Sequence, residues 1–267
     1  MEQTTNRKVF EEVIQAARLW PIWLRIGLQD IRMRYRRSAV GVGWIFINLA
    51  IMIIAVGIVY GNLLGQELKE FLPFLTIGLI SWGYITSSIV EGGNAFVISE
   101  GYIKQIGLPI YIYIFRFLVS ITITMLISLP AYLVIAFIYS VQFGLGTLWA
   151  LLGFVLLSIV SFLMIAIFSH LNARFRDASH IASVCLQVMF FITPIIWPPE
   201  VLRKRGIDWI IDFNPFYHLL EIVRRPLTMS EPATFINYIA VAIFIILLSM
   251  IAWMFTKRLS QRIAFLL

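Results

Sequence analysis

Apolar runs of about twenty residues alternate along the chain with short hydrophilic breaks, and this spacing predicts helices that cross a membrane. Spans are expected over residues 42–64, 71–90, 110–139, 148–168, 181–197 and 235–255. A transmembrane barrel would show ten-residue alternating segments instead, so the expected fold is an all-α polytopic membrane protein with six transmembrane helices. The third run is longer than one bilayer requires; its start, with Arg116, is expected to protrude or snorkel, and Pro130 to kink it. Gly57, Gly61 and Gly65 recur every four residues in the first run, a face on which a neighbouring backbone can approach closely.

The breaks carry a pattern of their own. Residues 1–40 are too polar to cross, yet Trp20, Trp23, Leu24, Leu28 and Ile31 alternate with Arg18, Arg25, Arg32, Arg34, Arg36 and Arg37, which predicts an amphipathic helix lying in the headgroup plane. Between the second and third runs, Gly92-Gly93 and Gly107 bound a short helix in which Glu100 and Lys104 stand four apart, in the favourable order. Glu91 and Arg116, at span ends, are expected to meet headgroups. The fourth run ends in a hydrophilic knot, Asn172, Arg174, Arg176 and Asp177. The fifth ends at Thr193-Pro194 and Pro198-Pro199, and residues 198–232 are aromatic but too interrupted to cross. The organisation expected is an N-terminal region, 1–40, a transmembrane domain, 41–256, and a tail, 257–267.

Composition agrees with lipid as the main solvent: 60% of residues are hydrophobic, 13% are charged and the mean hydropathy is +0.90. The net charge of +7 does not point to nucleic acid, because the basic residues flank apolar runs. If both termini are cytoplasmic, that side holds fifteen Lys and Arg against six outside, the bias expected of a multi-pass protein of the cytoplasmic (inner) membrane. The first twenty residues have no apolar core of a signal peptide. Cys185, alone within an apolar run, is expected to be a small packed residue.

There is no GxxxxGK[ST] phosphate loop, so nucleotide hydrolysis by this chain is not expected. His170, His180 and His218 lack zinc-site spacing, and Asp177, Ser179 and His180 are too close in sequence to face one another as a hydrolytic trio. No carboxylate stands deep within a run, which disfavours an ion-coupled carrier.

The stretch RYRRSAVGVGWIFINL from Arg34 to Leu49, the Asn172–Asp177 knot, the Thr193-Pro194-Ile195 step, Asn214-Pro215 followed by Glu221 and Arg224, and Lys257-Arg258-Leu259 resemble, in this order, the permease subunit of ABC-type polysaccharide exporters for O-antigen, capsule or teichoic acid. The resemblance implies a homodimer with two copies of a separate ATPase, which binds ATP and Mg, so that the permease needs no cofactor of its own. It implies an interface helix at 20–37, a coupling helix at 94–106, and short re-entrant helices at 199–229 closing the outer mouth. Arg34, Arg36, Glu100 and Lys104 then serve ATPase coupling, and Arg174, Arg176 and Asp177 the cytoplasmic mouth. Pro194, Asn214, Pro215, Phe216, Tyr217, Glu221 and Arg224 belong to the outer gate. A lipid-linked glycan needs walls that touch sugar faces weakly; Tyr60, Trp82, Tyr84, Tyr132, Phe190, Phe191 and Trp197 are the candidates, with Phe216 and Tyr217. Trp82 and Tyr84 cannot share one face of a regular helix. An exporter of small molecules or drugs with the same fold, a membrane-bound transferase and a structural subunit remain as alternatives.

Overall fold

The computed structural model describes residues 2–63, 65–260 and 263–267, which contain helices and no strand. Two helices precede the membrane-spanning part, α1 (Glu2–Arg18) and α2 (Trp20–Tyr35). α3 (Gly43–Leu63) and α4 (Leu68–Val90) follow, and after a 3-10 turn come two short helices, α5 (Ala95–Ile98) and α6 (Glu100–Gln105). α7 (Tyr111–Ile138), α8 (Trp149–Arg174) and α9 (Ala178–Ile192) complete the middle of the chain. Three smaller helices, α10 (Glu200–Arg203), α11 (Trp209–Asp212) and α12 (Pro215–Met229), lead to α13 (Phe235–Leu259) and α14 (Ile263–Leu266).

Among the described residues five helices, α3, α4, α7, α8 and α13, are long and apolar enough to cross a membrane. The run at 181–197 is only partly helical. Its helix, α9, has 15 residues, a length of about 22 Å against a hydrocarbon core of about 30 Å. Pro194 offers no N–H and biases its predecessor away from helix, so Thr193 turns extended (φ −81°, ψ 136°) and the helix stops at Ile192.

α4 is the axis of the bundle. Two-thirds of its apolar window is buried, against about one-tenth for α3, and it packs against α3, α7, α8, α9 and α12. Small residues set several of these approaches. A methyl group at Gly57 would lie 2.5 Å from Leu72, and one at Gly61 2.9 Å from Leu68, so this part of the glycine face receives α4. Gly65 does not belong to it: nothing packs on it, and its φ of +60° makes it the turn between α3 and α4. Cys185, expected to be packed, lies exposed on α9.

Side-chain contacts sort the molecule into two ends. At one, Ser260 donates to Glu12 (3.2 Å), Tyr111 and Thr256 share a hydrogen bond (2.8 Å), Arg34 pairs with Glu91 (2.7 Å) and Asn172 donates to the Gly93 carbonyl (2.9 Å). At the other, Tyr132 donates to the Leu227 carbonyl (2.6 Å) and Thr147 meets Ser230 (3.1 Å). The N-terminal helices, the 91–110 break, the 172–177 knot and the C-terminal turn therefore share one end. These are the four regions that the Lys and Arg count assigned to one side.

Candidate functional site

At the end opposite the termini, α12 is built by its own sequence. Asn214 caps it, its Oδ1 accepting from the Phe216 and Tyr217 amides at 3.0 and 3.3 Å, and Pro215 supplies a first position that needs no donor. Leu219, Leu220, Ile222 and Val223 are wholly buried, and Gly153 of α8 admits the Ile222 carbonyl to where a β-carbon would lie 2.3 Å away. The helix ends at Ser230 in the left-handed region (φ 56°), its hydroxyl bonded to Thr147 and its carbonyl lying where a β-carbon at Gly146 would stand.

The first half of α12 also holds the segment that breaks α9. Asn214 Nδ2 donates to Thr193 Oγ1 (2.9 Å). Arg224, 1% exposed, donates from Nη1 to the Pro194 carbonyl (2.7 Å) and from Nε and Nη2 to Glu221 Oε1 (3.0 and 2.5 Å), while its guanidinium lies 3.8 Å from the centre of the Phe74 ring on α4. A cation in this place is tolerable only because it is paired and stacked. Pro194, Asn214, Pro215, Glu221 and Arg224 thus form one polar latch between α4, α9 and α12. Thr193 and Phe74 complete it, and the sequence pattern did not single them out as partners. Beside the latch opens a cavity of about 870 Å³, lined by Lys69 and Glu70 of α4, Glu200, Lys204 and Arg205 near α10, and Arg225 of α12.

The aromatic candidates divide. Trp82 meets Phe190 (6.0 Å) and, edge-on, Phe216 (5.6 Å); Phe190 meets Phe191 (5.4 Å); and Trp197 Nε1 donates to the Phe191 carbonyl (3.1 Å). These rings make a continuous group along α4, α9 and α12 that reaches the surface at Phe191, 60% exposed. Tyr84 and Tyr132 stand apart from it, buried, with Tyr84 bonded to Thr122 (2.9 Å) and Ser158 (3.3 Å) and Tyr132 to Leu227. Tyr217 is also buried, beside His218, and Tyr60 is half-buried against the core.

At the terminal end, the expected single helix at 94–106 is two, broken at Ser99. Gly92 and Gly93 let the preceding turn lie directly on α8, where added β-carbons would come within 2.5 Å of Ile165 and 3.0 Å of Phe168. Phe96 of α5 packs edge-on against the buried His170 at 5.0 Å. α6 projects outward with Tyr102 exposed and the Glu100–Lys104 ion pair closed at 2.7 Å. The Lys104 hydrogen bond, helped by the charge of Arg176, holds the Glu100 carboxyl below the usual carboxylate range. The knot and the knob are neighbours, joined at the base by the Asn172 hydrogen bond to Gly93. Arg174 covers the Phe175 ring at 5.3 Å, and Arg176 and Asp177 are exposed.

Arg116 departs from its expected place. It is buried rather than snorkelling, and pairs with Asp30 of α2 through two short hydrogen bonds (2.6 and 2.7 Å). Glu91 meets Arg34, not headgroups, and Arg36 is exposed just beyond α2. The signal for this arrangement was present: Asp30 is the only acidic residue between Glu12 and Glu67, in a segment crowded with arginines.

The family profile described as ABC-2 type transporter matches residues 24–228, which takes in α3 to α9 and nearly all of α12. The chain belongs to the ABC-2 type transporter family. Among its relatives, an O-antigen export system permease protein RfbA of Klebsiella pneumoniae is 24% identical over 248 residues, covering 92% of this chain and 95% of the relative. A second Klebsiella pneumoniae protein of that name is 23% identical over 76% of this chain and 78% of its own length. One from Myxococcus xanthus is 24% identical over 72% and 74%. In this ABC-2 family chain, the matched region holds the knob at Glu100, the knot at Arg174 and the latch at Arg224.

Proposed function

We propose that the protein is the permease subunit of an ATP-driven exporter that moves a lipid-linked polysaccharide across the cytoplasmic membrane. The observation that carries this reading is the match over nearly the whole length of a relative named as an O-antigen export permease. The geometry supports it. A knob and an amphipathic helix stand at one end, a latch closes the other, and a group of aromatic rings lies near that latch.

In the proposed cycle two permeases pair, and two ATPase subunits, which hold ATP and Mg, sit beneath the cytoplasmic end where both termini lie. Closure of the ATPases loads α2 and the knob at Glu100 and Lys104. The spans rock, and α12 releases the segment after α9. The glycan passes rings such as Trp82, Phe190, Phe191, Trp197 and Phe216, each contact worth about 1 kcal/mol, weak enough to break as the chain advances. Arg174, Arg176 and Asp177 line the cytoplasmic mouth.

Co-expression with an ABC ATPase from the same source, followed by native mass determination and an ATPase assay, tests the assembly. The expected result is two permeases with two ATPases and hydrolysis that depends on the complex. A permease that retains no ATPase through purification would overturn the reading. Glu100→Lys, which places two cations side by side on α6, is expected to weaken ATPase association or export while leaving the permease folded.

A further inference from the structure

The side chain of Arg116 reaches three elements at once. It grows from the second turn of α7; its Nε and Nη2 donate to the two carboxylate oxygens of Asp30 on α2 (2.6 and 2.7 Å), and its Nη1 donates to Ser99 Oγ (3.2 Å), in the break between α5 and α6. Arg116 is 8% exposed and Ser99 is wholly buried. The fork geometry of a guanidinium allows this, since one edge, Nε with Nη2, serves the carboxylate while Nη1 points elsewhere. A lysine has the charge but not the fork.

The surroundings hold α2 in the same register. Gly27, three residues before Asp30 and on the same face, lies so close to α7 that an added β-carbon would sit 2.8 Å from the Arg116 carbonyl. Ile31 is buried, and Arg34, one turn beyond Asp30, pairs with Glu91 at the end of α4. The knob is moored separately at its base, where Asn172 of α8 donates to Gly93. Its tip has Arg116.

We infer that Arg116 is a positioning residue that joins α2 and the knob into one lever on α7. This rests on the proposed function, in which both elements face the ATPase. A load on either element reaches α7 at the same guanidinium, so the two ATPase contacts cannot move independently of each other or of the span. Without the fork they are two separate contacts, and hydrolysis proceeds with less of it converted to movement of α7.

Hydrogen exchange on the purified permease alone tests the joint, with neither ATPase nor glycan involved. Arg116→Met is expected to raise exchange in residues 20–35 and 95–105 together, whereas Asp30→Asn raises it in 20–35 only. A rise confined to one segment in Arg116→Met, or in neither, overturns the joint. In the complex, Arg116→Lys, which retains the charge, is expected to keep ATP hydrolysis within about twofold while glycan exported per ATP falls about tenfold. Export and hydrolysis falling in parallel in Arg116→Lys would reduce Arg116 to a merely structural residue. If no ATPase associates with the wild-type permease, the proposed function fails, and the exchange experiment still decides whether one side chain holds both elements.

Discussion

Arg224 and Glu221 are a cation and an anion withdrawn together from solvent, and such a pair stabilises little while being costly to break. Arg224→Met leaves the Glu221 carboxylate and the Pro194 carbonyl without their donor, and is expected to cost about 3–5 kcal/mol, read as a lowered thermal midpoint in detergent. The double variant Glu221→Gln with Arg224→Met should recover much of that loss, because no unpaired charge remains. Gly153→Ala places a methyl group where the Ile222 carbonyl already lies, and is expected to cost about 1–3 kcal/mol by forcing α8 and α12 apart. Glu12 gives a pH dependence. Burial raises its pKa, with the Ser260 hydrogen bond opposing. A carboxyl raised in the folded state contributes stability that is full below its unfolded pKa, near 4.5, and is lost as pH rises through the folded value. Exchange of residues 10–18, corrected for intrinsic rates, should therefore be slower in mild acid than at neutral pH, and Glu12→Gln should remove the difference.

At the scale of elements, α9 and α12 depend on each other. Asn214→Ala removes both the cap of α12 and the bond to Thr193; a cap alone is worth about 1 kcal/mol, and exchange in 193–199 and 215–219 is expected to rise together. The long spans were legible in the sequence because twenty apolar residues in lipid have no alternative to helix. The end of α9 was less so. Hydropathy continues through Ile195, Ile196 and Trp197, and only the missing N–H of Pro194 stops the helix. Trp82 and Tyr84 face different neighbours, as helical spacing required, yet which of them joins the ring group depends on where α9 and α12 pack, and a single helix does not carry that information. The same holds for Cys185 and Arg116. An apolar run does not say which of its faces meets protein, and a basic residue at a span end reads as a snorkelling one until its acid, eighty-six positions earlier, is placed beside it.

For the whole molecule, the grouping of basic segments gave the correct partition into two ends, since Ser260 and Glu12, Asn172 and Gly93, and Asp30 and Arg116 all meet at one of them. A permease must relate those ends, and the elements for it are continuous in space: α2 and the knob on α7, α7 and α8 on α4, and α4 under the latch of α12. α3 leaves most of its apolar surface outside the protomer, against lipid or the second copy of the proposed dimer. The central claim is directional movement of a glycan, and transport in reconstituted vesicles tests it most directly. Permease and ATPase are inserted together, a lipid-linked polysaccharide is supplied on the face that carries the ATPase, and a glycosidase on the opposite face reports arrival. The account predicts digestion that requires ATP and is lost when Arg224 is replaced by methionine. ATP hydrolysis with no polysaccharide reaching the enzyme, while small amphiphiles cross instead, would contradict it.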